Sequence, residues 1–507
     1  MSVPNPLPAS NPLKDAHQSG KFCYMVELVA SAKTPAEKLF EISGELAQIP
    51  GVVAAGITSF AGGSAGLDPI FVGAGVQARG LSPNVHITCV NRTRQNAQEA
   101  LLQMHQQGME NVFAITGDYP LGAEKDAGPS LYDLDSVQLV EMVSEFRTKG
   151  IPFYTSVAVS PFKYSEADCA YQYLKLEKKV AAGADFAISQ LGYDSKKCRE
   201  LKRYVDERGL KIPLMGNVYV LSGGAAKKFA KAEPPGCWVS PELLARVTEE
   251  AKAEDKGVAA RLEFAARMVA MLRGLGYAGA YFGGEHSAAR IRGIIERSEE
   301  LAPRAEEFIE EISYGRKDGF YFYESPRAKT SLSFPLKVVD TMAAMFPVKR
   351  DHDSAIRGAL SGVFGWVDKH PGLAHKLDRL EVTFKQPAFG CKDCGNCVLG
   401  EMEYVCPMTC PKNLRNGPCG GTNHGQCEVI PEQKCIWVAV YDNAKAANRV
   451  DGLKTYIPPR DRALQGTSSW INLFLDRGNR PGQEPPLVTI DLTAPLPAPK
   501  EPEPAKP

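Results

Sequence analysis

The chain has 507 residues, 44% hydrophobic and 23% charged, the make-up of an ordinary globular protein with about two to four domains. Lys+Arg and Asp+Glu are both 59, so the basic excess that nucleic-acid binding needs is absent. No run of about 18 apolar residues is long enough to cross a bilayer. Residues 1–14 lack the basic and apolar segments of a secretory signal, so a cytoplasmic protein without nucleic-acid or membrane partners is expected.

Residues 1–20, rich in Pro, Ser and Asn, read as a flexible tail. From residue 21 short apolar runs alternate with stretches of helical periodicity. The expected strands are Phe22–Val29, Val52–Thr58, Asn84–Cys89, Asn111–Thr116, Phe153–Val157, Asp185–Ser189, Ile212–Met215 and Ala278–Phe282. They are short and rich in β-branched or aromatic residues, as buried parallel strands are. Amphipathic stretches between them include Thr93–Gln107, Glu166–Ala182 and Arg261–Leu275. Such an alternation predicts an α/β fold, a (β/α)8 TIM barrel over residues 21–302, with an open doubly wound sheet as the competing arrangement. Residues 303–385 read as a helical connector, with helical spacing in Lys337–Met345 and Ser354–Lys376 and a short aromatic stretch at Gly319–Glu324. A small cysteine-rich domain follows at 386–475. Residues 476–507 form a proline-rich tail expected to be disordered.

A barrel of this kind carries its chemistry at the C-terminal ends of its strands. That rule selects Glu27 inside the first strand, Thr58 and His86 in the second and third, Asp118 after the fourth, and Gln190 at the end of the sixth, with Tyr193 and Asp194 extending its loop. A carboxylate within an apolar strand is costly unless it meets a polar cavity. Each residue also has a plain structural reading. Glu27 would be half of a barrel ion pair, Asp118 a turn cap before Pro120, Gln190 a satisfied buried amide, and His86 a core residue.

Thirteen cysteines are present. Cys23, Cys89, Cys169, Cys198 and Cys237 are scattered. Cys391, Cys394, Cys397, Cys406, Cys410, Cys419, Cys427 and Cys435 are crowded into one segment. In a reducing compartment such density points to metal rather than disulfides. The opening C-x2-C-x2-C run, with Cys406 and Cys410 each followed by proline, suits [4Fe–4S] ligation, and eight thiolates would supply two such clusters. Structural Zn, four thiolates to the ion and with His424 as a further candidate, is the alternative. The stretch Trp437–Tyr441 together with Trp470 is expected to form the module's small core.

The segments Val85-His86-Ile87-Thr88-Cys89, Ala114-Ile115-Thr116-Gly117-Asp118-Tyr119-Pro120, Lys178 through Gln190, and Ala225 through Ala230 resemble, in order and spacing, the methylenetetrahydrofolate reductase family. The resemblance covers roughly residues 22–300. It implies an oxidoreductase of one-carbon metabolism with a flavin (FAD or FMN) at the C-terminal face of the barrel. Such an enzyme interconverts 5,10-methylene- and 5-methyltetrahydrofolate, the reaction that supplies methionine biosynthesis. The residue matching Glu27 is then the general acid at a folate ring nitrogen. Asp118 would serve both flavin and folate, and Gln190 would bind folate. Thr58, His86, Thr116, Gly117, Tyr132, Ala158, Lys178 and Lys179 would lie along the flavin, the two lysines near its phosphate.

The sequence departs from the family pattern at Leu28-Val29-Ala30-Ser31, at Thr116 in place of a frequent arginine, at Ser160 in place of an aromatic, and at the extra glycines Gly62, Gly63 and Gly66. These departures leave FAD and FMN as alternatives and the nicotinamide contact unassigned. The cysteine segment is similar to the C-terminal domain attached to some family members and to a small partner subunit of acetogen enzymes. That likeness implies electron delivery from NAD(P)H or a ferredoxin, or docking of an electron-transfer protein. A homo-oligomer is expected. The competing reading is a non-catalytic folate- or corrinoid-associated partner protein with a zinc-stabilised docking domain.

Overall fold

The computed structural model describes residues 10–31, 33–59, 66–120, 130–345 and 355–478. Gly62, Gly63, Ser354, the first nine residues and the chain beyond 478 lie outside them.

Eight parallel strands close into a barrel in chain order. They are β1 Cys23–Val29, β2 Val52–Thr58, β3 Ser82–Thr88, β4 Asn111–Ile115, β5 Tyr154–Val159, β6 Phe186–Ser189, β7 Leu214–Tyr219 and β8 Gly279–Gly283. The closed order settles the choice between barrel and open sheet in favour of the (β/α)8 barrel. Strand residues alternate between two cores, as the two-residue repeat demands. Val26, Leu28, Ile57, Val85 and Ile87 pack outward beneath the helices. Met25, Ala54, Phe113, Tyr154, Phe186, Ile188, Met215 and Tyr281 fill the interior. Gly56 admits the ring of Tyr281, since a Cβ there would lie 2.3 Å from the Tyr281 hydroxyl.

Residues 10–20 are not a free tail. Asn11 caps α1 (Pro12–Gln18) by accepting from Lys14 N–H, and Pro12 occupies the first turn, where its missing N–H costs nothing. Leu13 is fully buried in the interior core and plugs the N-terminal end of the barrel. Asn11 Nδ2 donates to Asn111 Oδ1 at 2.7 Å, and His17 Nδ1 lies 2.8 Å from the Tyr154 hydroxyl.

The barrel helices are α2 (Ala36–Leu46), α3 (Pro69–Gln77), α4 (Arg94–Gln106), α5 (Ser136–Thr148), α6 (Glu166–Ala181), α7 (Ser195–Glu207), α8 (Gly223–Phe229), α9 (Pro241–Glu250), α10 (Val258–Gly274), α11 (Ala288–Leu301) and α12 (Ala305–Glu311). Asp68, Thr93, Asp135, Ser165, Asp194, Ser222 and Ser240 each accept a first-turn amide as N-caps, which is why these helices begin where they do. Barrel packing continues to Ile312, beyond the boundary expected at 302, because α12 buries Phe308 and Ile309 in the barrel core.

In the connector, α13 (Phe334–Met345), α14 (Ala355–Asp368) and α15 (Pro371–Phe389) follow. The single helical stretch expected across Ser354–Lys376 breaks before Pro371, which opens α15. The cysteine-rich segment is mostly turns, ending in α16 (Ile436–Ala446) and α17 (Ser469–Phe474). Its small core is built around the Trp437–Tyr441 stretch, as expected, and takes in one face of α6. Trp437, Val440, Tyr441, Leu453 and Ile457 share one cluster with Ala167, Ala170, Tyr171 and Leu174 of α6. Trp470 stands apart from that cluster, 5.4 Å from Lys385 Nζ.

Candidate active site

The C-terminal mouth of the barrel opens into a cavity of about 390 Å³, and its wall holds Glu27, Thr58, His86, Thr116, Gly117, Asp118, Ala158, Lys179 and Gln190. These sequence-derived positions come from β1 through β6, so the closed barrel unites residues more than 160 positions apart. Tyr132 and Lys178 do not line the cavity. Tyr132 stands behind it, stacked on Tyr119 with ring centroids 6.4 Å apart and its hydroxyl 3.5 Å from Gly117 O. Lys178 is buried, its Nζ lacks a hydrogen-bond partner, and burial pushes its pKa down to about 7.

Glu27 forms no ion pair among the described residues, which removes its plain structural reading. Burial pushes its carboxyl up to about 7. Its surroundings are aromatic and backbone. A Cβ on Gly283 would lie 3.1 Å from Glu27 Oε2 and 2.9 Å from the Tyr219 ring, and burial, with the charge of Glu27 adding to it, raises the hydroxyl pKa of both Tyr219 and Tyr281. A carboxyl group poised near neutrality is suited to proton transfer. Burial also lifts Asp118 to about 6, with the Lys412 ammonium opposing the shift and the Glu428 charge adding to it.

His86 stands edge-on to Phe113, ring centroids 4.7 Å apart. Burial drives its pKa down to about 3, so it is neutral. Thr58 Oγ1 accepts from Ala30 N–H at 3.3 Å. Gln190 Oε1 accepts from Leu191 N–H at 2.9 Å, which leaves its amide donors to the cavity. Lys179 Nζ donates to Ala158 O at 2.6 Å, and burial lowers its pKa to about 7. Tyr193 donates to Tyr219 O at 3.2 Å. Asp194 is structural: it caps α7 and accepts from the hydroxyls of Tyr164 and Tyr321.

Four further polar atoms of the wall are buried without a partner: His86 Nε2, Ser160 Oγ, Asn217 Oδ1 and the Tyr281 hydroxyl. Buried polar atoms are rarely left unpaired. Their presence around a cavity fits a polar ligand with several donors and acceptors. Asn217, Tyr219 and Tyr281 were missed from sequence. Asn217 lies in the half of β7 beyond the expected end at Met215, where Gly216, set against Leu272, interrupts the apolar run.

The cysteine-rich segment also reaches this cavity, placing Lys412, Pro418, Cys419, Gly420, Gly421 and Glu428 in its wall. Cations on and beside α6 hold the segment there. Lys175 Nζ donates to the carbonyls of Gly417 and Pro418 at 3.2 and 2.9 Å. Lys163 Nζ donates to Gly420 O and Thr422 O at 2.6 and 2.5 Å, and Gln172 Nε2 to Cys419 O at 2.9 Å. The one readable sign of this was the Lys175–Lys179 spacing, which puts two cations on one helix face.

The cysteines fall into two groups. Cys391, Cys394, Cys397 and Cys406 surround one small cavity together with Lys385, whose Nζ lies 3.6 Å from Cys397 Sγ. Cys410, Cys419, Cys427 and Cys435 lie on the barrel side; burial raises the thiol pKa of Cys410 and Cys419, and the nearness of Cys427 to Cys410 and of Cys435 to Cys419 adds to it. All of them are free thiols. Among the described residues no three Cys, His, Asp or Glu side chains stand at the spacing that holds a metal ion. No helix among the described residues is long and apolar enough to cross a membrane.

Residues 12–282 match the family model described as methylenetetrahydrofolate reductase, and residues 370–463 match one described as methylene-tetrahydrofolate reductase C terminal. Proteins named 5,10-methylenetetrahydrofolate reductase from Salmonella typhimurium and Escherichia coli are each 30% identical, over 31% and 30% of this chain and 50% and 48% of their own length. Methylenetetrahydrofolate reductase 1 of Schizosaccharomyces pombe is 27% identical over 43% of this chain and 36% of its own length. The chain thus spans about half the length of the bacterial relatives it matches. A Clostridium thermocellum protein described as binding two copies of 5-methyl-5,6,7,8-tetrahydrofolic acid covers 58% of this chain and 100% of its own, at 11% identity and a TM-score of 0.43, a likeness too slight to bear on what this chain binds.

Proposed function

The chain belongs to the methylenetetrahydrofolate reductase family, and from that premise we propose that it is a flavin-dependent oxidoreductase interconverting 5,10-methylene- and 5-methyltetrahydrofolate. The observation that carries the reading is Glu27. It is a carboxyl group with no ion-pair partner among the described residues, poised near pH 7 in the same cavity as Asp118 and Gln190.

In this reading Glu27 holds a proton on its carboxyl oxygen and delivers it to a ring nitrogen of methylenetetrahydrofolate, opening the one-carbon bridge to a reactive iminium. Gln190 turns its free amide toward the pterin, and Asp118 hydrogen-bonds at the border of pterin and flavin. His86, Ser160 and Asn217 offer their unpartnered atoms to the ring edges. Lys179 supplies a cation for an anionic part of the cofactor, which the spare donors of its ammonium permit. FAD or FMN, when bound, supplies the hydride chemistry.

The C-terminal segment we read as an electron module. Cys391, Cys394, Cys397 and Cys406 line one cavity, the donor set of a four-thiolate site, and these thiols would have to move to bind a cluster, since no three of them stand at metal-binding spacing. Cys410, Cys419, Cys427 and Cys435 make the second set, and Cys419 borders the barrel cavity itself. Iron–sulfur clusters, when bound, supply one-electron steps between the barrel and a ferredoxin-type carrier, with NAD(P)H as the other candidate donor; zinc would supply none.

Glu27→Gln tests the reading. The variant is expected to keep flavin and 5-methyltetrahydrofolate binding and to lose turnover by at least about a hundredfold, the usual scale of a general acid. Near wild-type turnover would remove Glu27 from the chemistry.

A further inference from the structure

We infer that Lys412, contributed by the cysteine-rich segment, is a positioning residue of the barrel site: it fixes the Thr116-Gly117-Asp118 turn by holding the Gly117 carbonyl. The inference rests on the function proposed above, and it assigns the C-terminal segment a part in the active site that is independent of any metal it carries.

Gly117 has φ +84°, the left-handed region that glycine tolerates, and a Cβ there would lie 2.9 Å from Val90 Cγ1. The turn this conformation makes carries Gly117 O out of the strand ladder. Two donors then meet that carbonyl, Lys412 Nζ at 3.0 Å and the Tyr132 hydroxyl at 3.5 Å. The next residue is Asp118, so the direction of its carboxyl group depends on the plane of the peptide that Lys412 grips.

Lys412 is itself closely held. It is 2% exposed, pairs with Glu428, and lies 5.6 Å from the centre of the Tyr132 ring. Glu428 Oε2 lies 3.3 Å from Cys419 Sγ. Gly421 packs so tightly on that carboxylate that any side chain would displace it. A buried ion pair gains little stability over an apolar pair of similar volume, so stability alone does not account for a lysine here. Its ammonium has one neutral acceptor in the barrel, and that acceptor is the carbonyl preceding Asp118.

The test is hydrogen–deuterium exchange of the full chain, followed at the peptide spanning Thr116–Tyr119, with turnover measured alongside. Lys412→Met removes the grip and keeps the volume. Lys412→Gln, the second variant should the first fail to fold, keeps a donor for Glu428 but is too short to reach Gly117 O. Either is expected to speed exchange in that peptide by about tenfold while the flanking strands keep their protection, and Lys412→Arg is expected to restore it. In turnover, Lys412→Met should lower kcat/KM by about tenfold in the native background and by less than about threefold in Asp118→Asn, because the two residues act as one unit. Unchanged exchange, or an equal loss in both backgrounds, would overturn the inference. A native chain that turns over no folate would instead remove the proposed function, and the exchange result would still decide whether Lys412 holds the turn.

Discussion

Tyr171 on α6 meets Trp437 on α16 edge to face, with ring centroids 5.4 Å apart and planes at 77°. Both rings are almost fully buried, so a barrel helix and the cysteine-rich segment share a single core. Their union also brings Lys412 and Glu428 to the barrel cavity.

Trp437→Ala is therefore expected to destabilise both parts together. Emptying so large a buried site costs about 3–5 kcal/mol. Thermal unfolding followed by circular dichroism should show a lowered midpoint and, with it, weakened retention of flavin by the barrel. A variant that loosened only the cysteine-rich segment and left flavin retention untouched would contradict a shared core.

The second expectation concerns pH. Burial raises Glu27 to about 7, and the raised value means that its proton is present below that pH and lost above it. Reduction of methylenetetrahydrofolate should thus fall as pH rises through about 7. The titratable groups that feel Glu27 are Tyr219, Tyr281 and Cys237, whose pKa values burial raises and the Glu27 charge raises further, and His286, whose pKa burial lowers. Asp118 at about 6 and Lys179 at about 7 line the same cavity. The alkaline limb is assigned by its loss from the residual activity of Glu27→Gln; a limb that survives in that variant belongs to Asp118 or Lys179.

Lys179 itself gives a third expectation. Its ammonium is the cavity cation with only one partner, Ala158 O, whereas Lys175 is taken up by Gly417 and Pro418 and Lys412 by Glu428. Lys179→Met should weaken flavin binding by about tenfold or more, the scale of one charge-assisted contact, as read by fluorescence titration of the flavin-free protein. Lys178→Met should do far less, since Lys178 is outside the cavity wall. The reverse order would show that the flavin anion lies behind the wall.

Much of the barrel was legible because its strands are compact apolar runs and its helices start at Ser, Thr or Asp caps. Glu27 stood out as a charge inside such a run, and the rule that a barrel works at its strand ends placed Asp118, Gln190 and His86 at the same mouth. What escaped depends on long-range closure. Leu13 plugs the barrel from a segment whose Pro and Asn content reads as a tail, because one leucine in a short capped helix leaves no periodicity. Asn217 hides in a strand interrupted by Gly216. Lys412 and Glu428 sit among cysteines that draw attention to metal, and nothing local ties them to a turn some 300 residues earlier. Lys178 was expected beside Lys179, but adjacent residues on a helix point about 100° apart, and only Lys179 meets the cavity.

The central claim is flavin–folate redox chemistry in the barrel cavity, and an anaerobic UV–visible spectrum before and after adding 5-methyltetrahydrofolate tests it most directly. The account predicts a flavin band that bleaches on addition, above a broad brown absorbance from the cysteine-rich segment that remains. A protein that stays colourless after reconstitution with FAD and FMN, or a flavin band that 5-methyltetrahydrofolate leaves unchanged, would contradict it and favour a zinc-stabilised folate-associated partner protein.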